Sequence, residues 1–275
     1  MTLATLQKQI ENAFDAEPGT FALAFKDVQT GEELLINASD SFHAASTMKT
    51  PVLIELYKQA AEGKFSLSDS ISIKNTFYSI VDSSEYSLTE EDDSEKELYT
   101  RIGEKRTIAD LAYDMIIVSS NLATNLVIEL VDGKKVTQTM RELGAPDIEV
   151  LRGVEDIKAF EQGLSNSTTA YDLMVIYEKL AKGEVVSPEA SKAMVEILFD
   201  QRFNEIIPAL LPDEVKVAHK TGVITAVHHD SGIVFLPDGR KYVLVLLSKE
   251  LGDFDKGTER MAQVSEMVYG YVFGN

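Results

Sequence analysis

Strand-forming sequence is confined to two places in this chain, near the N-terminus and after Asp213, and the stretch between them is patterned mostly as helix. Residues 20–28 (TFALAFKDV) and 32–37 (EELLIN) flank Gln29-Thr30-Gly31, a hairpin signature. After Asp213 come VKVAHK, SGIVFL and KYVLVLLS, the last two joined by the turn Pro237-Asp238-Gly239-Arg240. Strands need neighbours, so both ends of the chain are expected to build one sheet. The predicted fold is α+β: an antiparallel sheet built from both termini and flanked by helices, with an inserted, mostly helical lobe. Residues 1–43 and 187–275 form the sheet lobe and residues 44–186 the helical lobe, with a cleft between them.

The helical stretch is well punctuated. PVLIELYKQAAEGK follows Thr50, and RTIADLAYDMIIV carries Thr107 and Asp110 at capping-box spacing. NLATNLVIELV stops at Gly133 and KKVTQTMREL at Gly144. A loop-like run from Ala145 to Asn166 precedes a second capping box, Thr169 to Asp172. Ser187-Pro188 supplies an N-cap and first-turn proline for SPEASKAMVEILF, and TERMAQVSEMVYGYVF closes the chain as a helix.

A chain of 275 residues buries a large core, and 44% hydrophobic with 26% charged residues is ordinary for a globular protein. No apolar run approaches the roughly 20 residues that span a bilayer. Met1–Glu17 reads as an amphipathic, acid-containing helix and not as a signal peptide. A net charge of −19 argues against nucleic acid and anionic membrane as partners. Without cysteine there is no disulfide, thiolate nucleophile or Cys-bound zinc, and the redox compartment stays open. Acidity is concentrated between Asp82 and Glu97, expected to be a solvated, mobile insertion; it lacks the Asp/Asn-plus-Gly spacing of a calcium loop. His228-His229 lacks a third ligand at metal-binding spacing, so no metal is expected.

Three short motifs carry the chemistry: Ser46-Thr47-Met48-Lys49, Ser119-Ser120-Asn121 and Lys220-Thr221-Gly222. Ser46 and Lys49, three apart, share one face of a helix. A lysine held in a partly dry site loses basicity until it serves as the base for a nearby hydroxyl. Thr50-Pro51 could itself start the helix after Lys49; the expected start is nearer Ser46, whose position at a helix N-terminus offers N–H groups to an oxyanion. Ser119 and Asn121 fall where one helical run breaks before the next. Their side chains are suited to passing a proton to a leaving nitrogen and to orienting an amide, although the same triplet also suits a plain helix cap. Lys220-Thr221-Gly222 ends VKVAHK at the sheet edge: charge and a hydroxyl for a carboxylate, then a residue without a side chain to let substrate lie close. A lysine on an edge strand also guards against aggregation.

In this order the motifs resemble those of the class A β-lactamases and penicillin-binding proteins, whose middle motif is often Ser-Asp-Asn. The resemblance runs from about Gly19 to the C-terminus. It implies Ser46 as nucleophile, Lys49 as its base, Ser119 as proton carrier, and Asn121, Lys220, Thr221 and Gly222 as substrate-binding residues. It places the oxyanion hole at the backbone N–H groups of Ser46 and Val223. Class A enzymes often put an arginine on the next strand to meet the substrate carboxylate. His229 occupies that place here, as a weakened or pH-dependent contact or as a structural imidazole. Their deacylating glutamate lies in a Glu-x-x-Leu-Asn pattern before the Thr-Thr helix start. This chain offers Glu155, nearer the expected place, or Glu161, with Ser165 where the pattern has Asn.

The expected function is a serine β-lactamase-like hydrolase, with no cofactor and no metal. Its partner is a small β-lactam or a peptidoglycan-like peptide, and the protein is a monomer. The resemblance implies a periplasmic or extracellular location, with a cytoplasmic one left open. The alternatives are a D-Ala-D-Ala peptidase or glutaminase of the same fold, and a β-lactam sensor that stays acylated.

Overall fold

The computed structural model describes residues 1–274. The chain opens with α1 (Leu3–Asp15) and the hairpin β1 (Thr20–Asp27) and β2 (Glu33–Ile36). β3 (Phe42–His43) leads into a 3-10 turn over Ala45–Met48 and then α2 (Lys49–Ala61). Short pieces follow: β4 (Ser70–Ser72), β5 (Phe77–Tyr78), β6 (Glu85–Tyr86), the one-turn α3 (Glu97–Thr100) and β7 (Lys105–Thr107). Helices α4 (Ile108–Ile117), α5 (Asn121–Val131) and α6 (Gly133–Glu142) precede the short α7 (Ile157–Glu161) and β8 (Ser167–Thr168). After α8 (Ala170–Lys182) and α9 (Pro188–Phe199), the strands β9 (Lys216–Ile224), β10 (Val227–Phe235) and β11 (Lys241–Lys249) return to the sheet, and α10 (Phe254–Phe273) closes the chain.

The sheet has the order β2-β1-β11-β10-β9, so strands from both ends of the chain meet at the β1–β11 pairing. All its pairings are antiparallel, in agreement with the α+β expectation. Alternation along a strand sends successive side chains to opposite faces. In β1 and β11, Leu23, Phe25, Leu244 and Leu246 face α1 and α10, whereas Ala22, Ala24, Val243, Val245 and Leu247 face the helical side. Each large apolar side chain buried this way contributes about 1.5–3 kcal/mol. The small alanines on the helical side let α8 lie close, and that helix packs on β1, β10 and β11. A division at residue 186 therefore cuts through one continuous core shared by sheet and helices.

The caps form as the sequence implies, but only in half. Thr107 and Thr169 accept from the N–H of Asp110 and Asp172, each at 3.1 Å. The Asp172 carboxylate turns away and receives the N–H of Asp147 and Ile148, tying down the loop that follows α6. The acidic run departs from a purely solvated insertion. It contributes β6, which pairs with β5 as a small hairpin, and Asp93 is 3% exposed. No described helix is long and apolar enough to cross a membrane.

Candidate active site

Ser46 lies in the 3-10 turn, and α2 begins at Lys49, so the two competing helix starts merge: a tight turn runs directly into the helix and Pro51 sits in its first turn. Ala45 takes a left-handed φ of 45° at the entry. The turn is pinned by Ala44 N–H donating to Asn166 O at 2.8 Å and by the Thr47 hydroxyl donating to Ala44 O at 2.6 Å.

Gly222 explains why the third motif ends without a side chain. A Cβ there would lie 2.9 Å from Ser46 N and 3.1 Å from Thr47 N, both rigid backbone. The strand thus passes directly against the turn, with Val223 beside Ser46. Lys220-Thr221-Gly222 does not end the strand, as the sequence suggests; β9 runs on to Ile224. Gly222→Ala is expected to slow acylation at Ser46 by about 10²-fold by displacing the turn, the cost of a misplacement near 1 Å. An adduct-forming rate close to that of the unchanged protein would show that the close approach is dispensable.

Lys49 is fully buried, and its Nζ donates to Ser119 O at 2.8 Å, Ser119 Oγ at 3.1 Å and Asn121 Oδ1 at 3.0 Å. Burial pulls its pKa down to about 7, with the charges of Asp93 and Glu155 pulling the other way. Lys220, also fully buried, donates to Ser119 Oγ at 3.0 Å and Thr221 O at 2.9 Å, and burial holds its pKa well below that of an ordinary lysine. Ser119 Oγ therefore accepts from both lysines, which occupies its lone pairs and leaves its own proton free to point elsewhere. Ser119 sits at the corner between α4 and α5 with φ 56°, a strained conformation for a residue with a side chain.

The middle serine of Ser119-Ser120-Asn121 caps α5, accepting from Ala123 N–H at 3.2 Å. Behind it lies Asp93, which receives the N–H of Leu122 at 2.8 Å, the Ser120 hydroxyl at 3.4 Å and the Tyr99 hydroxyl at 3.0 Å. The carboxylate absent from the motif is thus supplied by the acidic run. Sequence reading missed Asp93, and nothing local to it signals this contact.

Of the two loop glutamates, only Glu155 reaches the site. Asn121 Nδ2 donates to Glu155 Oε1 at 2.9 Å, and burial raises the carboxyl's pKa against that hydrogen bond. Its backbone is left-handed, at φ 62°. Asn125 grips the chain just before it, donating to Val154 O at 3.0 Å and accepting from Val154 N–H at 2.7 Å. A Cβ on Gly153 would lie 2.3 Å from Asn125 Oδ1, so this grip requires glycine there. Glu161 ends α7 in solvent.

His229 does not meet the cleft, which corrects its assignment as a substrate contact. It is fully buried, its Nε2 donates to His43 O at 2.9 Å and its Nδ1 accepts from Ser248 N–H at 3.1 Å. Burial holds its pKa to about 4, so the ring is neutral and both nitrogens are occupied. It is a structural imidazole. Among the described residues, no group of three or more His, Asp or Glu side chains converges to hold a metal.

Two cavities meet at Ser46, Asn121 and Val223. One, of about 710 Å³, contains Ser119 and Thr221, and the other, of about 390 Å³, contains Glu155 and Phe160.

The family model described as the beta-lactamase enzyme family matches residues 5–272. Extended-spectrum beta-lactamase PER-1 of Pseudomonas aeruginosa is 24% identical over 285 residues, covering 97% of this chain and 87% of that protein. The solved structure of PBP-A superposes with a TM-score of 0.85 at 27% identity, covering 99% of this chain and 97% of that one. A PBP-A variant of the same likeness is known as an acyl-enzyme complex with penicillin G. A beta-lactamase from Sphaerobacter thermophilus shares the fold, with a TM-score of 0.83 at 23% identity over 100% of this chain and 99% of that one. The chain belongs to the beta-lactamase enzyme family.

Proposed function

We propose that the protein is a serine hydrolase that opens β-lactam rings through an acyl-enzyme on Ser46. One observation carries this beyond family membership: Ser119 Oγ is held between two buried lysines, at 3.1 Å from Lys49 and 3.0 Å from Lys220, beside a serine in a tight turn. Neutral Lys49 takes the proton as Ser46 Oγ attacks the lactam carbonyl. The oxyanion forms against the N–H groups of Ser46 and Val223. As the C–N bond breaks, the Ser119 proton passes to the departing nitrogen, and the proton held on Lys49 restores it. Thr221 and Lys220 take the substrate carboxylate, and Asn121 orients the acyl amide. Glu155 then withdraws a proton from water as its oxygen attacks the ester, the bond from the carbonyl carbon to Ser46 Oγ breaks, and the proton taken up by Glu155 passes on to the departing Ser46 oxygen, which restores both groups. A monomeric state and a location outside the cytoplasm belong to the same proposal and rest on the resemblance.

A second reading has its basis in the PBP-A variant known as an acyl-enzyme complex with penicillin G: on this reading the acyl group forms on Ser46 and stays. The two readings separate in one experiment, hydrolysis of a chromogenic cephalosporin followed by intact-mass analysis. Turnover with little standing adduct supports the hydrolase, and a persistent adduct without turnover supports the trap. Absence of both colour and adduct ends the proposal.

Lys49→Ala is expected to slow acylation by about 10²–10³-fold, within the usual range for removing a positioned base. The unmodified protein should acylate faster as pH rises through about 7, because the attack needs the unprotonated amine and Lys49 protonates below that pH. Stopped-flow acylation across pH 5 to 9 reads this, and a flat profile would show that another group accepts the proton.

A further inference from the structure

The larger cavity continues past Ser119 along β10 and α10, into a region the acyl chemistry does not use. His228 lines it, 4% exposed, with its ring stacked on Phe254 at 4.9 Å between centroids. Its Nδ1 lies 2.8 Å from Thr258 Oγ1, and that hydroxyl spends its single proton on Phe254 O at 2.9 Å. Thr258 therefore accepts, and the ring carries its proton on Nδ1. Burial lowers the His228 pKa, so the ring is neutral at neutral pH. Nε2 is then a lone pair with no donor among the described residues, in the wall of an open cavity.

The charged groups that line the cavity all have one sign, with Lys220 buried behind Ser119 and Thr221. Asp92, Glu205, Asp255 and Glu259 line the cavity, and no lysine or arginine among the described residues does. The cations of α10 lie on another face of the helix: Lys256 pairs with Asp253 at 3.1 Å and Arg260 lies 4.0 Å from Glu17. Nor does His229 supply the cationic contact that the family's arginine would provide. Acceptors and negative charge surround the apolar face of Phe254.

We propose that this half of the cleft selects substrates whose departing portion carries a protonated or N–H-bearing nitrogen on a flat apolar group. His228 Nε2 accepts its hydrogen bond, Phe254 packs against it, and Glu205, Asp255 and Glu259 attract its charge. An anionic substituent at this place is repelled. The inference rests on the reading of Ser46 as the acylated nucleophile.

Three cephalosporins test it, sharing one acylamino side chain and bearing at position 3 a 4-aminopyridiniummethyl (a flat cation whose amino group carries N–H donors), an acetoxymethyl or a carboxylate-ended group. Acylation rates come from quenched-flow intact-mass measurements. The cationic compound is expected to acylate Ser46 about tenfold or more faster than the anionic one at low salt, a ratio that shrinks as salt screens the wall. Asp255→Asn combined with Glu259→Gln, both on an exposed helix face, should bring that ratio toward one. His228→Phe keeps an aromatic stack and removes the lone pair, and should slow the cationic compound more than the anionic. Equal rates for all three compounds, a faster anionic compound, or a ratio unchanged in the double variant would overturn the inference alone. If none of the three leaves an adduct on Ser46, the acylation reading falls and takes this inference with it.

Discussion

Ser46→Ala is expected to gain no mass from a penicillin under conditions that fully label the unchanged protein, with a loss of hydrolysis on the order of 10⁶-fold. The argument is one of position and of freedom. Ser46 Oγ makes no hydrogen bond to any described residue, and it lies where Gly222 brings β9 against the turn. Ser119 has its lone pairs committed to Lys49 and Lys220, and an oxygen so engaged is a proton carrier and a poor nucleophile. Ser120 is fully buried beneath the corner. Alanine fits the turn without new contacts, so the variant should fold and keep its melting temperature. Intact-mass analysis decides: labelling of the alanine variant at an undiminished rate would move the nucleophile elsewhere, with Ser119 the first to examine by the same substitution.

The parts of this site that the sequence carries are those fixed by local geometry. Ser46 and Lys49 are one helical turn apart, Ser119 and Asn121 share one corner, and Lys220 to Gly222 share one strand, so spacing alone groups them. Long-range contacts leave no such trace. Asp93 reaches Leu122 N–H across 29 positions, from a run whose composition reads as solvent-exposed. Asn125 reads as one more helix residue, and its grip on Val154 depends on how the loop returns. The histidine pair shows a different limit. Neighbouring residues on a strand face opposite ways, so a single position decides which ring meets the cleft. Family register points to His229, but that ring turns inward to His43 O and Ser248 N–H. His228, one place earlier, lines the cavity instead.

Glu155→Gln is expected to leave acylation nearly intact and to slow deacylation by up to about 10⁴-fold, so that adduct accumulates. Glutamine preserves shape and can still hydrogen-bond Asn121 while losing basicity. The expected split follows from the two cavities: Lys49 and Ser119 act where the ring nitrogen departs, and Glu155 stands in the other cavity, where water would approach the ester. No other carboxylate takes its place, since Asp156 is committed to the Ser79 hydroxyl and the Ile80 N–H, and Glu161 is in solvent. Glu161→Gln should therefore behave as the unchanged protein. Burial raises the Glu155 pKa, and the base must be ionised to act. Deacylation should thus be lost as pH falls through that raised pKa, at a higher pH than an ordinary carboxylate would give. Burst amplitude and steady-state rate, measured together on both variants across acidic pH, separate the two steps. If Glu155→Gln keeps full steady-state turnover, the water is not activated by this loop, and Lys49, freed of its proton after acylation, becomes the base for both halves of the reaction.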